Sequence, residues 1–72
     1  MSEVMIMFGA LIRQKRKEAQ LTQKQLGLLC GYEAKSAENV VQNWEYDKQP
    51  VPLEKLRALA KALNIPIDSL IP

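Results

Sequence analysis

The segment LTQKQLGLLCGYEAKSAENVVQNWE, residues 21–45, opens on a helix-start signal and ends on a tryptophan followed by a glutamate. Apolar residues recur at helical spacing near both of its ends, but the middle part GYEAKSAEN is polar and begins with a glycine. A glycine followed by a polar run between two amphipathic stretches indicates two helices joined by a turn. The segment therefore predicts a pair of short helices set at an angle to each other.

The start of the first helix of this pair, helix two of the chain, is marked by a capping box. The Thr22 hydroxyl can accept a hydrogen bond from the backbone amide of Gln25, and the Gln25 side chain can reach back to the Thr22 amide. Leu21 and Leu26 occupy the two positions of the hydrophobic staple that accompanies such a box. We therefore expect helix two to begin directly after Thr22.

The end of helix two is predicted at Gly31, because glycine readily takes the left-handed conformation that terminates helices. Helix two then covers about residues 23–30, and its core-facing residues are Leu26, Leu29 and Cys30. The apolar neighbours of this single cysteine favour a buried thiol over a reactive one.

The second helix of the pair, helix three, has a weaker start signal. Residues 33–36 are interpreted as a turn with Ser36 as the N-cap, and the helix is expected to end near Glu45. Val41 and Trp44 form an apolar i, i+3 edge, which predicts that both pack in the core. A tryptophan can also stack on an unpaired base, but the spacing from Val41 favours packing.

Three further helical segments flank the pair. Residues 4–19 predict helix one, and helix four is expected to carry Pro52 in its first turn and to end at Asn64. Residues 65–70 predict one more short turn that covers the core. The residues assigned to the inward faces of helices one and four are Phe8, Leu11, Ile12, Ala19, Leu53, Leu56, Leu59, Ala60 and Leu63. Residues 1–72 are thus predicted to form a single all-α domain, a compact bundle of about five short helices.

The residue inventory argues against an enzyme and against a membrane protein. The chain of 72 residues has no histidine and one cysteine, so the commonest general base and any cysteine pair for zinc are missing. The apolar run at 4–12 is too short to span a bilayer, and no glycine-rich phosphate loop is present. We expect no catalytic residue, no metal and no cofactor, and the lone cysteine fits a reducing cytoplasm.

The charge distribution leaves the partner open. The formal net charge of +2 is too small to indicate a nucleic-acid partner by itself. The densest basic cluster, RQKRK at 13–17 on helix one, suits either a solvated helix face or an anionic partner.

The outer face of helix three is more informative because it is rich in amides. Its polar residues are Lys35, Glu38, Asn39, Gln42 and Asn43. Asn and Gln can bond to adenine in the major groove of DNA, and Glu can accept from the cytosine amino group. An ordinary exposed face would favour Lys and Glu, which have the higher helix propensity. The face is therefore either a solvated surface or a surface that reads DNA bases.

Together these segments resemble the helix-turn-helix family of Cro and the phage repressors. The matched features are the Leu21-Thr22-Gln23 opening, Gly31 at the end of helix two, and the Trp44-Glu45 pair that closes helix three. They continue with Pro50 after a short loop and with the leucine and alanine pattern of helix four. The resemblance covers roughly residues 8–70, and it implies a helical domain that binds double-stranded DNA through helices two and three.

The resemblance also implies roles for residues at the matching positions. The implied base contacts are Glu38, Asn39 and Asn43, and Gln42 is a candidate neighbour that we include with them. The implied phosphate contacts are Gln23 and Lys48. Arg16 and Glu45 match a structural ion pair that ties helix one to the end of helix three.

The chain departs from the usual pattern between helices two and three, where the turn is about four residues longer. Lys35 and Ser36 fall in this longer connection, where they either contact the DNA backbone or serve only as a connector. The register of helix three is therefore set by placing Val41 and Trp44 in the core.

The function that the resemblance implies is a sequence-specific transcriptional regulator, a Cro-like repressor of phage or prophage type. A homodimer is expected, at least on an operator with two half-sites about one helical turn (~34 Å) apart, with Leu70 and Ile71 as candidate subunit contacts. The alternative is an antitoxin-type or other protein-interaction module on the same scaffold, which the acidic segment 25–50 suits. That alternative predicts a stable complex with a protein partner.

Overall fold

The computed structural model describes residues 8–70, which form four α-helices and a final 3₁₀ turn. The α-helices are α1 (Gly9–Glu18), α2 (Gln23–Leu29), α3 (Ala34–Glu45) and α4 (Leu53–Leu63), and the 3₁₀ turn is Ile67–Leu70. The all-α prediction is confirmed, and the fifth expected helix is this 3₁₀ turn. The predicted start of helix one at residue 4 lies outside the described residues.

The core is built where α1, α2, α3 and α4 meet, and its largest fully buried side chains come from all four helices and the 3₁₀ turn. They are Ile12, Leu26, Val41, Leu59 and Leu70. Trp44 is 2% exposed, and its ring meets the edge of the Tyr32 ring at a centroid distance of 5.8 Å. The prediction that Val41 and Trp44 pack inward is therefore confirmed.

Several residues assigned to the core or to the surface lie elsewhere. Leu29 is 57% exposed and Leu53 is 78% exposed, and Ala19 is exposed as well. These three residues lie at helix ends, beyond the stripe of each helix that the neighbouring helices cover. Leu70 is 1% exposed, so its side chain is not available for the subunit contact that the sequence suggested. Ile71 lies outside the described residues.

The predicted capping box at the start of α2 is confirmed. The Gln25 amide donates to Thr22 Oγ1 at 3.0 Å, and the Thr22 amide donates to Gln25 Oε1 at 2.8 Å. Leu21 is half-buried against the core cluster that contains Leu26. The start of α2 is thus determined by hydrogen bonds within four consecutive residues.

The connection between α2 and α3 is shorter than the sequence suggested. Gly31 has φ +96°, its amide donates to the Leu28 carbonyl, and the Tyr32 amide donates to the Gly27 carbonyl at 3.1 Å, which is a Schellman motif. The chain then enters α3 at Ala34, directly after Glu33.

The predicted start of α3 at Ser36 is therefore wrong. Ser36 lies in the first turn of the helix, where its hydroxyl oxygen lies 3.4 Å from the Glu33 carbonyl oxygen. Lys35 is also on the helix and not in a loop. The additional residues that the sequence placed in a long turn instead lengthen α3 at its N-terminal end.

Gly27 sets the distance between α2 and α3. A Cβ atom at this position would lie 2.6 Å from Ala37 Cβ and closer still to the Ala37 carbonyl oxygen. Both residues are buried, and neither helix can back away without opening the core between them. Close approach of the two backbones therefore requires glycine here, although Gly27 lies inside a helix.

Asp47 connects the loop after α3 to the start of α1. Its Oδ1 accepts a hydrogen bond from the Gly9 amide at 2.9 Å, so a residue 38 positions away takes the place of a local N-cap. Asp47 has φ +60°, a left-handed conformation that aspartate tolerates better than most residues. This tertiary cap joins the start of α1 to the loop that follows α3.

Candidate nucleic-acid interface

The C-terminal end of α3 is held by an ion pair that lies beneath the surface. Arg16 Nε donates to Glu45 Oε2 at 2.5 Å, and Arg16 Nη2 donates to Glu45 Oε1 at 3.2 Å. The side chains are 11% and 1% exposed, respectively. Arg16 Nη1 also donates to the Leu21 carbonyl at 2.9 Å. One guanidinium group thus joins the end of α1, the segment that leads into α2 and the end of α3.

Gln23 extends this network toward the surface. Its Nε2 donates to Glu45 Oε1 at 3.2 Å, and its Oε1 accepts from Gln42 Nε2 at 3.2 Å. Gln42 Nε2 is also 3.5 Å from Glu38 Oε2, which is a weak contact. Two residues with different expected roles, Gln23 for phosphate and Gln42 for bases, are therefore bonded to each other.

These two glutamines retain hydrogen-bonding capacity for a ligand. A side-chain amide has two N–H donors, and only one donor of Gln23 is taken by Glu45. Gln42 keeps its Oε1 and an N–H that has only the weak contact with Glu38. Both side chains are half-buried, so their positions are constrained before any ligand arrives.

The outward face of α3 carries the remaining expected base contacts. Glu38 and Asn39 are exposed, as is Lys35 one turn earlier, while Asn43 and Ser36 are half-buried. The Asn43 carbonyl accepts from the amides of Lys48 and Gln49, which bends the loop back over that end of the helix. Among the expected base contacts, Glu38 and Asn39 are therefore more exposed than Gln42 and Asn43.

A shallow groove runs between the first turn of α2 and the outer face of α3. It is lined by Lys24, Ala34, Lys35, Glu38, Asn39 and Gln42. The structure thus brings three of the four expected base-contacting residues to one surface, together with Lys35. The fourth, Asn43, does not line this groove.

Three basic residues that the sequence reasoning did not assign to a site surround a second, wider cleft. Arg13 and Lys17 come from α1 and Lys24 from α2, and the cleft also contains Gln23 and Glu38. Among residues 8–70, none of the three has a carboxylate oxygen within 4.0 Å. The signal was present in the basic cluster at 13–17, but only the packing of α1 beside α2 shows which of its members share a surface with α3.

Lys48 lies in the exposed loop that follows the C-terminal end of α3. Its amide donates to the Asn43 carbonyl at 2.9 Å, so the backbone of this loop is attached to the helix end. Basic side chains therefore occur both in the cleft beside α3 and in the loop after its C-terminal end.

Other kinds of site find little support in the described part of the chain. No cluster of three or more metal-ligating side chains occurs among residues 8–70. None of the helices in that range has both the length and the hydrophobicity needed to cross a bilayer. Burial raises the pKa of the Cys30 thiol to about 11, so this cysteine is protonated at neutral pH.

Comparison with known proteins gives one match. Residues 12–70 match a family described as helix-turn-helix, a range that begins within α1 and ends with the 3₁₀ turn. Neither the curated proteins nor the solved structures that were compared provide a match.

Proposed function

Because the chain belongs to the Cro/C1-type helix-turn-helix family of DNA-binding regulators, we propose that it is a sequence-specific transcriptional repressor. In this proposal α3 lies in the major groove and its outer face reads base edges. The supporting observation is the division of α3 into two faces. Val41 and Trp44 fill the core, while Asn39, two residues before Val41, is exposed on the opposite face.

Asn39 and Gln42 are the proposed adenine-reading residues. Each can accept from adenine N6 and donate to N7, the bidentate pattern that distinguishes adenine from other bases. Gln42 can do this while it donates to Gln23, because only its weakly engaged N–H and its Oε1 are required. Glu38 is the proposed partner of a cytosine amino group, and Asn43 has a lesser role because it does not line the groove that holds the other three residues.

The proposed phosphate contacts come from two places near this reading face. One is Lys48 in the loop after α3, and the other is the cleft that contains Gln23 and the basic residues Arg13, Lys17 and Lys24. Gln23 would donate its second N–H to a phosphate oxygen without breaking its bond to Glu45. Phosphate contacts position the domain on the duplex and make its affinity fall as salt concentration rises.

We infer a homodimer on a palindromic operator, since one domain of this size covers a single half-site. The exposed leucines Leu28, Leu29 and Leu53 are candidates for subunit contact in place of the buried Leu70. The same exposed leucines suit the alternative, a protein partner of antitoxin type. Size-exclusion chromatography with light scattering, with and without operator DNA, measures the mass of the protein. A dimer mass supports the homodimer, and a monomer mass under both conditions supports the alternative of a protein partner.

Selection of binding sites from random duplex pools at two salt concentrations tests the proposed function. We expect an enriched palindromic site whose affinity decreases with increasing salt. Asn39→Ala should relax the preference at one base pair at a cost of about 1–3 kcal/mol. Lys48→Ala should weaken all sequences alike and reduce the salt dependence. If the protein enriched no sequence, the proposal of a sequence-specific regulator would be wrong.

A further inference from the structure

We propose that the lengthened N-terminal turn of α3 adds a base-reading residue, Lys35, which contacts a guanine beyond the base pair read by Asn39. This inference rests on the proposed DNA-binding function and extends it. It assigns Lys35 to sequence reading, whereas the sequence had suggested a backbone contact or a mere connector. The experiment below distinguishes its failure from failure of the proposed function.

The additional residues between Gly31 and Trp44 lie at the start of α3. The chain is about four residues longer between Gly31 and Trp44 than the family pattern it resembles, and the turn itself is short. The extra residues form one helical turn at the start of α3, which extends the helix by about 6 Å. In helix-turn-helix proteins the N-terminal residues of this helix contact base edges. The extension therefore lies at the end of the helix that enters the groove.

The inner side of this extra turn packs against α2. Ala37 is buried against Gly27, and the chain is led into α3 by the Schellman motif at Gly31. Ala34 follows with helical geometry from the first residue after Glu33. Lys35 is thus presented from a fixed helical backbone.

Lys35 lies on the same face of α3 as Asn39 and Gln42. Positions 35, 39 and 42 are spaced i, i+4 and i+7, so they lie on one face of a helix. Lys35, Asn39 and Gln42 do line the same groove beside α2. Lys35 lies one helical turn before Asn39 on this face. An extended ligand that bonds to Asn39 and runs along the helix axis therefore also comes within reach of Lys35. In a DNA duplex, the part of the ligand within reach of Lys35 is a base pair adjacent to the one read by Asn39.

The Lys35 ammonium group is available. Its ion-pair partner among the described residues is Glu33, with Nζ and Oε1 3.9 Å apart and side chains that are 85% and 78% exposed. An exposed pair at this distance contributes little to stability, so little is lost when the lysine turns toward DNA. The flexible four-carbon chain of Lys35 allows its ammonium group to reach base edges in the major groove of DNA.

The chemistry of the base edge then selects guanine. Guanine presents two acceptors in the major groove, O6 and N7, and lysine is a donor of three N–H groups with no acceptor. Adenine places an amino donor at the corresponding position, which cannot accept from lysine. Lys35 should therefore favour guanine over adenine, in contrast to the adenine preference of Asn39.

Site selection with wild type, Lys35→Ala and the matched control Lys48→Ala tests this assignment. Both variants remove one positive charge from an exposed position, and alanine has high helix propensity, so α3 should keep its structure. Affinities are then measured for the selected operator and for operators in which each base pair is replaced in turn.

We expect wild type to prefer guanine by about tenfold at one position next to the adenine that depends on Asn39. Lys35→Ala should reduce this preference to about one and leave the preferences at other positions unchanged. Lys48→Ala should retain the guanine preference and weaken all operators alike.

Two results would overturn the inference while leaving the proposed function intact. The first is a wild type that selects an operator while Lys35→Ala weakens every sequence by the same factor, because that is the behaviour of a phosphate contact. The second is a selected operator whose binding does not respond to Lys35→Ala at all. Failure of wild type to select any sequence would instead remove both the inference and the function on which it rests.

Discussion

The two ends of α3 are held in place by different kinds of interaction. At the C-terminal end, a buried carboxylate on Glu45 accepts hydrogen bonds from Arg16 and Gln23. At the N-terminal end, Ala37 is pressed against Gly27, and no side-chain hydrogen bond joins α2 to this turn among the described residues. The C-terminal end of α3 is thus held by an ion pair, and the N-terminal end by close packing that glycine on α2 permits.

The difference shows how one helix can be both fixed and variable. The charged end specifies three connections at once through Arg16, so its geometry depends on particular residue types. The other end requires only glycine on α2 and a small residue on α3, which leaves every outward position of the first turn open to change. The proposed sequence-reading residues Lys35 and Asn39 lie on this less constrained half.

The largest expected effect is that of Glu45→Ala at the charged end. This change leaves the Arg16 guanidinium buried without its partner, and loss of one member of such a pair costs about 3–5 kcal/mol. Urea unfolding followed by circular dichroism measures the change in the free energy of unfolding. Glu45→Gln should be less damaging, because it keeps the shape and one acceptor.

Glu18→Ala is the matched control for this experiment. Glu18 pairs with Lys15 at 3.3 Å, but its side chain is 56% exposed, so its removal should have little effect on the free energy of unfolding. If Glu45→Ala were no more harmful than Glu18→Ala, the charged end of α3 would not be held by its ion pair.

Gly27→Ala tests the other end and should destabilise the domain by about 1–3 kcal/mol. Alanine would favour the α2 helix by itself, but its Cβ would overlap the Ala37 backbone and force the helices apart. Adding Ala37→Gly should recover only part of the loss, because the Ala37 carbonyl oxygen remains in the way. A Gly27→Ala variant more stable than wild type would contradict the close packing of α2 on α3.

Asp47→Gly should have the smallest of these effects, about 1 kcal/mol. Glycine tolerates the left-handed conformation at this position, so the variant removes only the carboxylate that accepts from the Gly9 amide. Asp47→Asn should be nearly neutral, since the amide oxygen can accept the same bond. Thermal unfolding compares the two variants, and equal losses in both would show that the negative charge matters and the hydrogen bond does not.

Much of the fold could be predicted because its signals are local. The capping box of Thr22 and Gln25, the left-handed Gly31, the end of α4 at Asn64, and the inward positions of Val41 and Trp44 are all confirmed. Each depends on residues that are at most a few positions apart along the chain. The family match over residues 12–70 agrees with this local pattern.

The start of α3 could not be predicted in the same way. Ser36 is a good N-cap by residue type, and Glu33 makes no side-chain cap at the position where the helix begins. The Schellman motif at Gly31 and the packing of Ala37 on Gly27 bring the chain into helix earlier than the local signal suggests. Packing between helices here outweighs the preference of one serine.

By itself, the sequence determined the helix boundaries at Thr22, Gly31 and Asn64 and the two faces of α3, because backbone hydrogen bonds and side-chain periodicity act between near neighbours. Only the tertiary structure decided where α3 begins, that Asp47 caps α1, and that Leu29 and Leu53 remain exposed. It also decided that Gln23 and Gln42 bond to each other. These features depend on groups far apart in the chain, and distance between such groups is set only when all the helices pack together.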